Sequence, residues 1–587
     1  MAKPSTSWSG ENWDRDQQTF FCGRRLSSFL YAPYLLFPRC RKRTVDRPPR
    51  AFPNTPDTAA RMSSRLARSA GLIGAATMAS RVLGLLRETV LAALFGAGYA
   101  MDAFNVAFRI PNLLRDLFAE GAMSAAFVPT FTRYLTQRGR DDAWRLGNVV
   151  LNALVLVTSI AVTIGAIFAH TIVAAFAPDY AAVPGKLELT TMLLRIMLPF
   201  IGAVAVSVAM MGMLNSLHRF FGPALAPAMF NVATVAAAFA IVPWMPRLGW
   251  PPIAGIAIGT LLGGAGQVLI QWPALRREGW RYRPVFDLRD QGLREVLATI
   301  APGTLGLAAV QVNVFINTVL ATGEGTGAVS WLNYAFRLMY LPIGLFGISI
   351  ATAALPDIAR HAVAADAGAM RRTISSGLRM MLMLNVPATV GLIVLARPIV
   401  SLLLERGRFT PADTAATAAA LMWYAPGLLG YSAVKIASPT FYALGNSRTP
   451  VIASGLAVIA NLALNLTLVR VIGYRGLALG TAVAAVLNAL VLLWLLRSRL
   501  GGLDGDRIAR AFAGITLASL VMGAGVWAVE HWLERWLPGS STMVRAVRVG
   551  VSIGAGGALL LAMARVLRIQ EFEEALRRVT RRAGGGA

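Results

Sequence analysis

The sequence has few of the residues on which most soluble or metal-binding proteins depend. It contains 2 cysteines and 4 histidines among 587 residues. That count excludes a small disulfide scaffold, and no His or Cys group has metal-ligand spacing. Only 14% of the residues are charged, against about 25% in an ordinary soluble domain. No Walker-type loop is present, which excludes self-contained ATP hydrolysis.

Apolar residues make up 56% of the chain, and the mean hydropathy is +0.57. Apolar runs of about 20 residues, the length that crosses a bilayer as a helix, recur along most of the sequence. We therefore predict an all-α polytopic membrane protein with about fourteen transmembrane helices. The predicted spans are 67–94, 101–132, 147–176, 187–216, 222–244, 252–275, 295–321, 328–356, 374–404, 412–440, 448–470, 475–496, 508–531 and 545–567.

The net charge of +27 is large for so apolar a chain. Most of the arginines lie in alternate connections between the spans, such as 276–294 and 497–510. The positive-inside rule then places both termini and the even-numbered connections in the cytoplasm. The charge excess is mainly topological, and no zinc, helix-turn-helix or base-stacking module supports a nucleic-acid partner.

Residues 1–61 differ from the rest, because they are polar, rich in proline and arginine, and hold both Cys22 and Cys40. Their longest apolar run is too short and too interrupted by proline for a secretory signal. Two interpretations stay open: a disordered cytoplasmic extension, or an untranslated segment with translation starting at Met62.

Two segments resemble each other and divide the membrane region. Residues 106–134 and 334–361 both contain Ala-Phe-Arg near their starts (107–109 and 335–337), and both carry a proline 19 or 20 positions after that arginine and then a basic exit. The segments begin six spans apart, and this even offset predicts two parallel lobes of six helices, a design that places substrate sites between the lobes. The predicted units are an N-lobe at 62–290, a C-lobe at 291–500, two extra helices at 501–570 and a basic cytoplasmic tail at 571–587.

Ionisable residues at membrane depth are costly, at roughly 2.5–3.5 kcal/mol each, and are functional candidates. The first, second and eighth predicted spans carry most of them. They are Arg81, Arg87, Glu88, Asp102, Arg109, Asn112, Arg115, Asp116, Glu120 and Arg337. Burial in ion pairs or snorkelling to an interface would explain some of these residues. Arginines without enough acids beside them predict an anionic ligand, and the guanidinium fork suits phosphate. We expect Asn112 to bind substrate with the arginines, and Ser80 and Glu88 to support or gate the site.

Several short sequences in this region resemble the N-terminal signature of a known family. They are 80–87 (SRVLGLLR), 95–98 (FGAG), 101–104 (MDAF), 111–115 (PNLLR), 118–122 (FAEGA) and 127–129 (FVP). The chain resembles the MurJ/MviN lipid II flippases of the multidrug/oligosaccharidyl-lipid/polysaccharide exporter superfamily. The similarity continues in order through 329–331 (VSW), 407–410 (GRFT) and 448–450 (RTP), and covers roughly 64–570.

The resemblance implies a transporter of the bacterial inner membrane and not an enzyme. It would move lipid II, an undecaprenyl-pyrophosphate-linked disaccharide pentapeptide, to the outer leaflet by alternating access for cell-wall synthesis. By this resemblance, the cavity arginines would be Arg81, Arg87, Arg115 and Arg337. The functional acids would be Asp102 and Glu120. The two extra helices would form a groove for the lipid tail. Membrane lipids are expected partners, no cofactor or metal is expected, and a coupling cation is left open.

The eighth span departs from some members of the family. Phe336 and Tyr340 stand where those members have acids. An acid–arginine pair within this span is therefore not expected.

Three other functions remain as alternatives. The first two are an exporter of O-antigen or capsule lipid-linked sugars and a cation-coupled drug exporter. The third, a membrane glycosyltransferase, would need a large external loop with catalytic carboxylates, and no odd-numbered connection is long enough.

Overall fold

The computed structural model describes residues 56–119, 122–344 and 348–572, and this part of the chain contains helices and no strand. The all-α prediction is therefore confirmed. Contacts divide the chain into Met1–Ser63 and Ser64–Ala587, and the fold below is that of the second unit. Predictions for 1–55, Glu120 and 573–587 lie outside the described residues.

The first nine helices cover the predicted N-lobe. They are α1 (Pro56–Phe95), α2 (Tyr99–Ala119), α3 (Ala122–Gln137), α4 (Arg140–Ile167), α5 (Ala169–Phe176), α6 (Lys186–Met197), α7 (Phe200–Ser216), α8 (Phe221–Ala240) and α9 (Ala254–Arg277).

The remaining helices cover the predicted C-lobe and the two added helices. They are α10 (Gln291–Thr322), α11 (Ala328–Pro342), α12 (Ile348–Val363), α13 (Ala367–Val394), α14 (Ala396–Leu404), α15 (Pro411–Tyr424), α16 (Gly427–Ala443), α17 (Arg448–Ile472), α18 (Tyr474–Leu500), α19 (Gly505–Trp536) and α20 (Thr542–Val566).

Each predicted span coincides with one helix or with two consecutive helices. Within the described residues, nine segments are long and apolar enough to cross a membrane, and they lie on α4, α6–α7, α8, α9, α13 and α17–α20. The other five predicted spans coincide with α1, α2–α3, α10, α11–α12 and α15–α16. Three of these five carry the charged residues singled out above. The count of fourteen crossings stays a prediction.

Prolines explain several of the helix interruptions. Pro199 separates α6 from α7, Pro342 ends α11, and Pro426 precedes α16. Proline has no backbone N–H, and its ring clashes with the preceding turn, so a helix kinks or stops there. Pro111 and Pro387 instead stay inside α2 and α13.

The largest groups of buried side chains are two cores that belong to one half each and a third core shared by both halves; two smaller clusters pack α13 and Leu395 against α19 and α20. One core joins α3, α4, α7 and α9 around Phe131 and Met213. Another joins α12, α13, α16 and α18 around Ile374 and Leu492. The shared core joins α2, α6 and α9 to α11, α14 and α15. The halves are therefore packed together at one end, which we call the Asp102 end and define by residues 93–102, 327–334 and 405–409.

Helix α10 connects the two halves. Its first residues, including Leu293 and Val296, pack in the core of α3 and α4. Near its other end, Asn317 accepts a hydrogen bond from Asn465 of α17 at 2.6 Å. The predicted lobe boundary after residue 290 thus falls at the start of a helix that crosses from one core to the other.

Candidate functional site

Arg337 of α11 lies between two cavities at the interface of the halves. The larger cavity has a volume of about 500 Å³ and is lined by Ser80, Arg81, Phe336, Arg337 and Tyr340, among others. A smaller one is lined by Arg87, Glu88, Asn105, Phe230 and Arg337, among others. Arg81 and Arg87 of α1 therefore line different cavities.

Glu88 is the carboxylate at the centre of the smaller cavity. It is 7% exposed and accepts hydrogen bonds from Arg87, at 2.5 Å, and from Arg337. The Arg87 guanidinium also lies 4.8 Å from the ring centroid of Phe230. One carboxylate thus links an arginine of each half.

Helix α2 adds a second charged group beside the first. Arg115 donates to Asp116 at 2.7 Å, and the side-chain amide of Asn112 donates to the same carboxylate at 3.3 Å. Arg115 lies close enough to Arg87 to interact with it electrostatically. Arg109 interacts in the same way with Arg337 and with Asp116.

Positive charge dominates this interface in the described part of the chain. Five arginines lie with two carboxylates, and they are Arg81, Arg87, Arg109, Arg115 and Arg337 against Glu88 and Asp116. The two carboxylates balance only two of the five positive charges in this group. In a site partly shielded from water such charges repel one another, and an anion would remove the repulsion.

The position of Arg81 depends on two small features of its surroundings. Its guanidinium lies against Gly344, where any β-carbon would collide with it. The side-chain amide of Asn231 donates to the Ser80 carbonyl at 3.1 Å, which ties this part of α1 to α8. Arg81 can approach the end of α11 because residue 344 has no side chain.

Asp102 lies apart from the arginines and connects the halves at the end named after it. Its fully buried carboxylate accepts hydrogen bonds from Lys186 Nζ (3.1 Å), the Gly327 N–H (2.7 Å), and the N–H and hydroxyl of Ser330 (3.1 and 2.7 Å). Lys186 is also buried and lies 4.1 Å from the ring centroid of Tyr180. Burial, with the nearby Asp102 charge, raises the pKa of Tyr180 above its usual range, so that phenol stays neutral.

Backbone contacts close the same end. The Arg408 N–H donates to the Ala93 carbonyl at 2.8 Å, and the Tyr334 hydroxyl donates to the Gly96 carbonyl at 3.3 Å. Gly96 and Gly407 have φ of +66° and +60°, and a β-carbon at either would meet the opposing backbone. Only glycine allows so close an approach here without strain.

The two similar sequence segments have the same local arrangement. Each forms two consecutive helices, α2–α3 and α11–α12, and the prolines Pro129 and Pro356 lie inside the second helix of each pair. Their matching arginines, Arg109 and Arg337, interact electrostatically across the interface. The segments thus meet where the halves face each other.

The structure brings together most of the predicted site residues. Ser80, Arg81, Arg87, Glu88 and Arg337 line the two cavities. Asn112 and Arg115 belong to the neighbouring charged group on α2, whereas Asp102 connects the halves elsewhere.

Other residues of the site were not expected from the sequence. Asn105 lines the smaller cavity and donates to Ser330 at 3.1 Å. Lys186 and Ser330 hold Asp102. Asparagine, serine and a lysine at a span end carry no sequence signal that separates them from ordinary polar positions.

Arg195, a charged residue within the fourth predicted span, lies outside both cavities. It is exposed and donates to the Ala166 carbonyl at 3.1 Å.

Comparison with known proteins identifies relatives over most of the chain. The model of the family described as "Lipid II flippase MurJ" matches residues 91–546. A Vibrio cholerae protein named "Probable lipid II flippase MurJ" is 34% identical over 518 residues, which are 87% of this chain and 97% of that protein. The "Lipid II flippase MurJ" of Burkholderia cenocepacia is 36% identical over 461 residues, which are 78% of this chain and 88% of that protein.

Comparison with solved structures finds a similar fold in a member of this family and in a more distant transporter. A structure described as "Lipid II flippase MurJ, inward closed conformation" superposes with a TM-score of 0.69 at 26% identity and covers 84% of this chain and 99% of its own. An inward-facing multidrug resistance MATE family transporter superposes with a TM-score of 0.61 at 17% identity and covers 73% of this chain and 96% of its own, which shows a shared fold alone.

Proposed function

This chain belongs to the lipid II flippase MurJ family, and from that premise we propose that it carries lipid II from the cytoplasmic to the outer leaflet of the inner membrane by alternating access. The family consists of multi-pass membrane transporters, not enzymes. The observation that carries the proposal is the excess of arginines over carboxylates between the halves. A lipid whose headgroup includes a pyrophosphate matches that charge.

Arg81 and Arg337 are proposed to bind the pyrophosphate first, because both line the larger cavity. Guanidinium groups form bidentate, charge-assisted hydrogen bonds with phosphate oxygens. The bound anion would also attract Arg87 and Arg115, which interact electrostatically with each other. Relief of the repulsion between Arg337 and the N-lobe arginines Arg87 and Arg109 is the force that would draw the halves together around the headgroup.

Orientation follows from the distribution of arginines. The positive-inside rule places the arginine-rich connections, such as 276–294, in the cytoplasm and the Asp102 end at the outer face. The packed state at the Asp102 end then corresponds to an inward-facing arrangement. For outward release, the hydrogen bonds from Gly327 and Ser330 to Asp102 must break.

The membrane potential is the proposed source of energy. It is worth about 2.3 kcal/mol per elementary charge per 100 mV, and outward movement of an anion is favoured by a negative interior. A coupled cation would be a further source. Helices α19 and α20 expose apolar side chains such as Leu520 and Ile553, 57% and 56% accessible, and are proposed to hold the lipid tail. A carrier of cationic drugs is disfavoured, because its cavity would need the opposite charge.

The test is rescue of bacteria depleted of their own flippase, combined with a measurement of lipid II on the outer leaflet. Wild-type protein should restore growth and export, and Arg87→Ala or Arg115→Ala should abolish both at equal membrane abundance. Arg195→Ala is the matched control, because it removes an arginine of the N-lobe that lies outside the cavities. Normal export by Arg87→Ala would refute the assignment of the site, and failure of wild-type protein to export lipid II would refute the function.

A further inference from the structure

The larger cavity has an aromatic side that pyrophosphate binding does not explain. Phe336 and Tyr340 lie one turn apart on α11 and line the same cavity as Arg81 and Arg337. Their ring centroids are 5.8 Å apart and their planes differ by 30°. The two rings thus form one nearly continuous apolar surface beside two guanidinium groups.

Packing from the rest of the C-lobe holds this surface in place. Tyr424 and Tyr431 contact Phe336 edge to face, with centroids at 5.5 and 6.2 Å and interplanar angles of 73° and 83°. Edge-to-face contacts are a favoured geometry for aromatic pairs. Because both contacts fix its orientation, Phe336 does not need a ligand to order it.

The neighbouring chemical groups identify what such a surface would bind. The faces of sugar rings carry C–H groups that pack on aromatic rings, while a pyrophosphate requires cationic donors. In a pyrophosphate-linked sugar the two are directly bonded, so one cavity must accommodate both. Pockets of about 300–1,000 Å³ hold ligands of this size class, and this cavity measures about 500 Å³.

We propose that Phe336 and Tyr340 form a subsite for the sugar ring that adjoins the pyrophosphate, while Arg81 and Arg337 bind the pyrophosphate itself. This inference rests on the proposed function and adds the part of the headgroup that each side of the cavity recognises. Tyr340 and Phe336 therefore act in selecting sugar-bearing lipids over the bare carrier lipid. The arginines do not distinguish the two, because both lipids carry the pyrophosphate.

The test compares binding of three lipids to purified full-length protein by native mass spectrometry. They are undecaprenyl pyrophosphate, the same lipid carrying the disaccharide without peptide, and lipid II. Tyr340→Ala should weaken both sugar-bearing lipids by about threefold to tenfold and change undecaprenyl pyrophosphate by less than about twofold, from the usual strength of an aromatic contact. Tyr340→Phe keeps the ring and should bind all three lipids as wild-type protein does. Arg337→Ala should weaken all three lipids.

Tyr442→Ala is the matched control, because Tyr442 is a 53% exposed tyrosine of α16 outside the cavity. An equal loss of all three lipids in Tyr340→Ala would show that the ring only supports the fold, and no loss would show that it contacts no sugar. Either result overturns the subsite and leaves the proposed function intact. If wild-type protein binds none of the three lipids, the proposed function fails and the subsite with it.

Discussion

Replacing Asp102 by asparagine should release the contact between the halves at the Asp102 end. The carboxylate is fully buried and bonds Lys186 on one half and Gly327 and Ser330 on the other. The side-chain amide of asparagine would turn its own N–H donors toward one of the groups that donate to Asp102. It would also leave the Lys186 charge without its partner. Lys186 lies on the same half as Asp102, so the bonds that join the halves are those from Gly327 and Ser330. Hydrogen bonds to a charged group contribute about 1.5–3 kcal/mol. At 1.4 kcal/mol per factor of ten, the closed arrangement should become about tenfold to a hundredfold less populated relative to the open one.

Distance measurements between spin labels would detect this change. Cys22 and Cys40 are the only cysteines, so a cysteine-free background needs two substitutions. Labels at Ala181→Cys and Arg475→Cys, exposed positions in the connection before α6 and near the start of α18, report on opposite halves at this end. Wild-type protein should show mainly the short distance, and Asp102→Asn should shift the distribution to longer distances.

Two comparisons make the reasoning refutable. Asp102→Asn combined with Lys186→Met should regain part of the short distance, because replacing both members of a buried pair by neutral groups is often nearly neutral in energy. Glu188→Gln is the control for an exposed carboxylate of α6, and its effect should stay within about 0.5 kcal/mol. An unchanged distribution in Asp102→Asn, or a further opening on adding Lys186→Met, would show that the Asp102 contacts do not hold this end closed.

Two further predictions concern contacts between elements. Gly407→Ala should shift the distance between the same two labels to longer values. An L-residue in the left-handed region costs roughly 1–2 kcal/mol, and the added β-carbon would meet the Ala93 carbonyl. A distance distribution like that of wild-type protein would contradict this prediction. Arg545 of α20 donates to the Glu405 carboxylate at 2.8 Å. Arg545→Ala should lower the free energy of unfolding by about 2 kcal/mol, a usual loss for charged hydrogen bonds. The loss should be smaller when Glu405 is already alanine, as thermal denaturation of the single and double variants would measure. Fully additive losses would refute the pairing.

The cavity arginines could be predicted from the sequence because charge inside an apolar span is visible locally. Arg81, Arg87, Arg115 and Arg337 each interrupt a stretch that otherwise matches the bilayer interior. Their cost in hydrocarbon is a property of each residue in its own segment. The motif resemblance, confirmed at the level of the family, rests on the same short segments.

The partners of those residues could not be predicted. Glu88 and Arg337 are separated by 249 positions in the chain, and Asp102 and Lys186 by 84. The structure pairs Glu88 with Arg87 and with the other half. Gly344 and Asn231, which position Arg81 and Ser80, carry no charge or periodicity that would have marked them.

The amino-acid sequence was sufficient to predict an all-helical membrane protein, the sidedness implied by its arginines, and the residues that make its interior basic. Hydropathy and charge act segment by segment, because each segment must suit water or lipid whatever its neighbours are. Tertiary structure alone decided which acids neutralise which arginines, which charges remain free, and at which end the halves meet. Those outcomes depend on the packing of helices that are distant in the chain. The positive charge of the cavity is therefore encoded locally, but its shape, its aromatic side and the Asp102 contact arise only when the two halves come together.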